Sequence, residues 1–128
     1  MLDHIGFTVS DYTRAKAFYQ AALAPLGITL LFEVTAEQTG AEAHAGFGTP
    51  GKAFFWIGTG AKPTRSLHAA FVATDRATVD AFYQAAIAAG GTDNGAPGLR
   101  PHYAADYYGA FVHDADGNNI EAVCRKPV

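Results

Sequence analysis

The chain repeats itself at an offset of 64, half of its 128 residues. Phe18-Tyr19-Gln20-Ala21-Ala22 returns letter for letter as Phe82-Tyr83-Gln84-Ala85-Ala86. Around it His4 matches His68, Phe7 matches Phe71, Asp11 matches Asp75, Ala24 matches Ala88 and Gly27 matches Gly91. Stacked solenoid arrays use shorter units and three or more copies. A single duplication predicts instead one domain over 1–128 built from two like modules, one at about 1–60 and one at about 66–126. A domain of this length buries roughly two thirds of its unfolded surface, enough for a real core.

Residue patterning gives both modules the same plan. Ile5, Phe7 and Val9 alternate with His4, Gly6 and Thr8, the period of a strand. Ser10 or Asp11 is suited to cap a helix over 12–24, whose Ala15, Phe18, Tyr19 and Ala22 share one face. Pro25 and Gly27 end it. Strands follow at 28–34, 43–48 and 53–57, the last two joined by Thr49-Pro50-Gly51, and 58–66 links the modules. Module two repeats a strand at 67–73 and a helix at 76–89 stopped by Gly90-Gly91. A loop rich in Gly and Pro is expected over 94–102, with only weak support for a strand near Thr92. Strands at 108–113 and 119–124 close the chain around the turn Asp114-Ala115-Asp116-Gly117. The fold class is therefore α+β: two tandem βαβββ modules whose eight strands form a curved sheet with a concave face.

Strand parity decides which side chains share that face. If Ile5, Phe7 and Val9 pack under the helix, His4 points the other way, and the same parity turns His68 away from Phe71. In the last strand Ile120, Ala122 and Cys124 form one set and Asn119, Glu121 and Val123 the other. His4, His68 and Glu121 can thus converge, and two imidazoles with a carboxylate suit a divalent transition metal with open positions.

Composition removes other classes. The formal charge is −3, from 9 basic and 12 acidic residues with no like-charged block, which argues against nucleic acid as a partner. No apolar run approaches a membrane span. The single Cys124 excludes an internal disulfide, and the start Met1-Leu2-Asp3-His4 does not look like a leader; together they point to the cytoplasm.

Two motifs carry a family resemblance. Leu2-Asp3-His4-Ile5-Gly6-Phe7-Thr8-Val9-Ser10-Asp11, with the Ala17-Phe18-Tyr19 helix after it, opens the chain. Phe111-Val112-His113-Asp114-Ala115-Asp116-Gly117-Asn118-Asn119-Ile120-Glu121 closes it. Joined with the duplication, they resemble the vicinal oxygen chelate superfamily of glyoxalases, bleomycin resistance proteins and extradiol dioxygenases, lactoylglutathione lyases among them. The resemblance implies paired modules curved around a cavity, a divalent ion (zinc, nickel, manganese or iron) that chelates two neighbouring oxygens of a small-molecule substrate, and a homodimer, with the site in one chain or shared between two. By position it makes His4, His68 and Glu121 the metal ligands.

Glyoxalase I would need a second glutamate in the fourth strand of module one. The offset of 64 maps Glu121 onto Ile57, and a shift of two maps it onto Phe55; neither binds metal. Three readings therefore stand: a 2-His-1-carboxylate metalloenzyme, a lyase or isomerase whose missing ligand is water, Glu33 or His44, and a metal-free binding module of the bleomycin-resistance type. The weakly acidic composition disfavours cationic bleomycin itself. Phe55, Ile57, Tyr103 and Tyr107 are expected to line the substrate pocket. Arg100-Pro101-His102-Tyr103 reads as a lid, with His102 as acid or base and Tyr103 beside it. Asp114 and Asp116 are expected to fix the turn.

Overall fold

In the computed structural model, which describes residues 1–40, 42–60 and 62–128, the duplication is visible as topology. Module one runs β1 (Ile5–Thr8), α1 (Tyr12–Leu23), β2 (Thr29–Val34), a short α2 (Ala36–Thr39), β3 (His44–Thr49) and β4 (Lys52–Gly58). Module two runs β5 (His68–Val72), α3 (Arg76–Ala88), β6 (Thr92–Leu99), β7 (Tyr108–His113) and β8 (Asn119–Cys124). The eight strands hydrogen-bond as two mixed sheets of four, ordered β1-β4-β3-β2 and β5-β8-β7-β6. In each sheet the first and last strands of the module pair in parallel and the rest are antiparallel.

Local chemistry sets the helix ends. The carboxylate of Asp11 accepts from the Arg14 amide at 3.1 Å and that of Asp75 from the Thr78 amide at 2.7 Å, so both long helices start on repeat-related caps. Pro25 enters a 3₁₀ turn after α1, and Gly27 closes it with φ of 77°. Ala61, in the expected linker 58–66, lies outside the described residues.

Segment 94–102 departs from expectation. Most of it is strand, because β6 runs from Thr92 to Leu99 on the outer edge of its sheet. An edge strand tolerates Pro97, whose missing N–H can face outward, and the glycines take up two register shifts between Asp93 and Gly98. The bulges erase the alternation by which a strand is recognised in sequence.

One core serves both modules. Helices α1 and α3 pack on each other, and Tyr19, Phe47, Phe55, Phe82, Leu23, Ile57 and Ile120 are almost fully enclosed. Phe55 meets Phe71 across the modules with ring centroids 5.1 Å apart. Burying side chains of this size stabilises by about 1.5–3 kcal/mol each. Polar ties cross the same seam: the Tyr19 hydroxyl donates to Asp114 at 2.6 Å, and the Ser10 amide donates to Asp116 at 3.1 Å. Asp114 also accepts from the Asp116 and Asn118 amides, so the expected turn is held as the sequence implied. Burial first, and then Asp114, raises the Tyr19 phenol well above its ordinary pKa. No helix among the described residues is long and apolar enough to cross a membrane.

Candidate functional site

The outer face of the second sheet gathers the polar chemistry. His68 opens β5, Glu121 is central in β8, and Phe111 stands opposite Glu121 on β7. Strand parity aims them together as the sequence suggested: His68 Nε2 is 3.1 Å from Glu121 Oε1. The His68 ring lies over Phe111, centroids 6.4 Å apart and planes 22° apart. The other nitrogen, Nδ1, is 3.0 Å from the carbonyl oxygen of Asn119. A carbonyl only accepts, so Nδ1 holds a proton there, and in the neutral ring the Nε2 lone pair faces a carboxylate.

Glu121 is 1 % exposed, an unusual place for a carboxylate, and it is held at both oxygens. While Oε1 faces His68, Oε2 accepts a hydrogen bond from the Tyr107 hydroxyl. Burial, followed by the bond to Glu121, pushes the Tyr107 phenol up to about 12, so the donor keeps its proton at neutral pH. Gly109 makes the room: a Cβ there would lie 3.2 Å from both Glu121 Oε2 and the Tyr107 ring. The Arg125 guanidinium covers Tyr107 at 4.7 Å from its ring centre.

The remaining expected residues are placed as follows. His102 and Tyr103 sit exposed in the turn between β6 and β7, rings 4.2 Å apart, and Tyr103 meets Tyr107 edge to face at 5.0 Å. Tyr103 thus touches the residue that bonds to Glu121. The Tyr107 ring is itself 8 % exposed with its hydroxyl engaged, so it is less open to a substrate than expected. His4 bonds to Asp3 at 2.7 Å, and Asp3 also takes Lys52 at 2.6 Å. His4 and His68 do line a common cavity of about 520 Å³ between β1 and β5. Even so, among the described residues no three His, Cys, Asp or Glu side chains are grouped to hold an ion. Glu33 is engaged by Tyr12 and Lys16, both at 2.8 Å, and His44 lies 3.8 Å from Glu42.

The register corrects the comparison between modules. Ala70 pairs with Glu121 in sheet two, and its repeat mate Gly6 pairs with Trp56 in sheet one. Glu121 therefore corresponds to Trp56, an offset of 65, not to Ile57 or Phe55. Module two carries one more residue before its last two strands, and the gap-free offset hides it. Phe55 and Ile57, expected to face a substrate, each point into the core and are 1 % exposed; Phe55 reaches the cavity only as part of its wall. What faces outward is Trp56, its indole spread over Gly46 and stacked on the exposed Phe32 at 6.2 Å and 19°.

Comparison with known proteins agrees with this architecture. A family model described as the Glyoxalase/Bleomycin resistance protein/Dioxygenase superfamily matches residues 1–122. No curated protein matches the chain. Among solved structures, a glyoxalase/bleomycin resistance protein from Albidiferax ferrireducens is similar at 31% identity, with 98% of this chain and 99% of that one covered and a TM-score of 0.79. Glyoxalase I from Zea mays shares 19% identity over 99% of this chain and 45% of its own, at a TM-score of 0.72. A variant of the fosfomycin resistance protein FosX from Listeria monocytogenes, complexed with manganese(II) and a dihydroxypropylphosphonic acid, shares 19% over 96% of this chain and 88% of its own, at a TM-score of 0.67.

Proposed function

Because the chain belongs to the glyoxalase/bleomycin resistance protein/dioxygenase superfamily, we propose that it is a metal-dependent enzyme acting on a small molecule with two neighbouring oxygens, and that His68 and Glu121 are two of its ligands. The observation that carries the reading is the 3.1 Å approach of His68 Nε2 to Glu121 Oε1, with Nδ1 already committed to Asn119. Two ligand atoms about 2.1 Å from one ion and at right angles to each other lie about 3 Å apart. The pair thus has the spacing of adjacent metal ligands and the charge to favour a divalent cation. A carbonyl partner on the far nitrogen is also the usual way a ligating histidine is oriented.

His4 is the third ligand in this reading, supplied by a second copy of the chain in a homodimer. Support for His4 comes from its repeat match to His68 and from its bond to Asp3, which orients its ring. Zinc, nickel, manganese or iron suits such a set; the manganese(II) in the FosX complex is consistent with that range. A bound ion would act as a Lewis acid on the substrate oxygens. The chain's own residues hold the carboxylate dry and fixed; in this reading His102 and Tyr103, exposed in the turn beside Tyr107, are the acid or base and the aromatic contact for the substrate. Trp56 in the place of a second glutamate leaves no carboxylate base there, so glyoxalase I activity is expected to be weak or absent.

Mixing subunits tests the reading. His4→Ala and Glu121→Ala are each expected to abolish turnover, assayed with methylglyoxal plus glutathione and with catechol-type substrates under added nickel, zinc, manganese or iron(II). Unfolding and refolding the two variants together restores one intact site per mixed dimer if the ligands come from two chains. Metal-dependent turnover that mixing fails to restore places all three ligands in one chain. A metal-independent rise in melting point with aromatic ligands, without turnover, favours the binding module.

A further inference from the structure

We propose that Tyr107 is a positioning residue: it fixes one oxygen of Glu121 so that the other is presented to the metal beside His68. The inference rests on the reading of His68 and Glu121 as ligands and adds a residue that neither the motif nor the repeat marks. A carboxylate has two equivalent oxygens and a free torsion. Buried without a second partner, it would rotate or bind an ion through both oxygens. Here Oε2 is taken by the Tyr107 hydroxyl and Oε1 alone faces His68.

The surroundings hold Tyr107 in turn. Its ring is 8 % exposed, with Tyr103 against its edge at 5.0 Å and Arg125 over its face at 4.7 Å. Its amide donates to Ala104 and its carbonyl accepts from Arg100, which pins the backbone just before β7. Gly109, two residues on, keeps the contact open, since a Cβ would press on both the carboxylate oxygen and the ring at 3.2 Å. The device belongs to module two only. In module one the position of Glu121 is taken by Trp56, and an indole needs no such partner.

Two variants disturb the contact in different ways. Tyr107→Phe keeps the ring and its packing and deletes the hydroxyl; Gly109→Ala keeps the hydroxyl and wedges the pair apart. With cobalt(II) as the probe, each is expected to weaken binding ten- to a hundredfold and to change the visible absorption bands, which report coordination geometry. The melting point of metal-free Tyr107→Phe serves as the folding control. Wild-type affinity and an unchanged cobalt spectrum in Tyr107→Phe would overturn the proposal. If the wild-type protein takes up no metal, the ligand reading fails separately, and crystal structures of the metal-free proteins decide this one. A Glu121 carboxylate turned away from His68 in Tyr107→Phe upholds the positioning role; an unmoved one refutes it.

Discussion

Trp56 shows how much one residue can settle. Its indole lies flat because Gly46 beneath it has no side chain; a Cβ there would fall 2.7–2.8 Å from three ring carbons. Phe32 continues the surface. Gly46→Ala must therefore lift the indole or bend the strand, and overpacking of this kind costs about 1–3 kcal/mol. Trp56 is the only tryptophan in the chain. Its emission is expected to shift in the folded variant, and urea unfolding followed by that same emission gives the loss of stability. An unchanged spectrum and midpoint would mean that the ring does not lie over Gly46. In the strand that the sequence singled out, Trp56 faces outward while Phe55 and Ile57 face the core. Neither the gap-free offset, which gives Ile57, nor a shift of two, which gives Phe55, allows for the single inserted residue that brings Trp56 into register with Glu121, and a slip of one turns every side chain of a strand to the opposite face. The convergence of His68 and Glu121 was legible because both sit on strands whose alternation is unbroken. The role of Tyr107 was not, because it stands in a turn 14 residues from its partner, where no periodicity links the two.

At the level of elements, α1 is tied to β2 by a small polar cluster. Glu33 on β2 accepts from Lys16 and Tyr12 on α1, both at 2.8 Å. The Lys16 ammonium first, and the Tyr12 hydroxyl second, hold the Glu33 carboxyl below its ordinary value of 4.5. A lowered folded-state pKa adds stability above the unfolded value, and that contribution is lost as pH falls through the folded one. About a quarter of each charged side chain is exposed, so solvent screening keeps the tie under about 1 kcal/mol. Glu33→Gln is expected to lower the melting point slightly at pH 7 and to melt like the wild type once the pH is well below 4.5. A difference that persists undiminished in acid would place the effect elsewhere. Elements with strong periodicity and caps, such as α1 and α3 on Asp11 and Asp75, were fully legible. Strand β6 was not, since its edge position and bulges admit the Gly and Pro that read as loop. The four-residue α2 was also missed: its Thr35 and Gln38 capping box precedes no apolar run that would have marked a helix.

For the molecule as a whole, the duplication gives each module the same sheet, but the modules have diverged where chemistry is expected. Both contribute to one core and to ties such as Tyr19 to Asp114, so they stand or fall together. Their outer faces differ: one carries the buried carboxylate with its histidine, the other an aromatic shelf. The proposed chemistry requires the first face to hold a divalent ion. The most direct test is the metal content of the purified protein after exhaustive dialysis, measured by elemental analysis beside His68→Ala and Glu121→Ala. The expected result is one ion per chain in the wild type and a small fraction of that in either variant, with each variant still folded. Metal-free wild-type protein that takes up none of zinc, nickel, manganese or iron(II), or equal metal content in all three proteins, would contradict it.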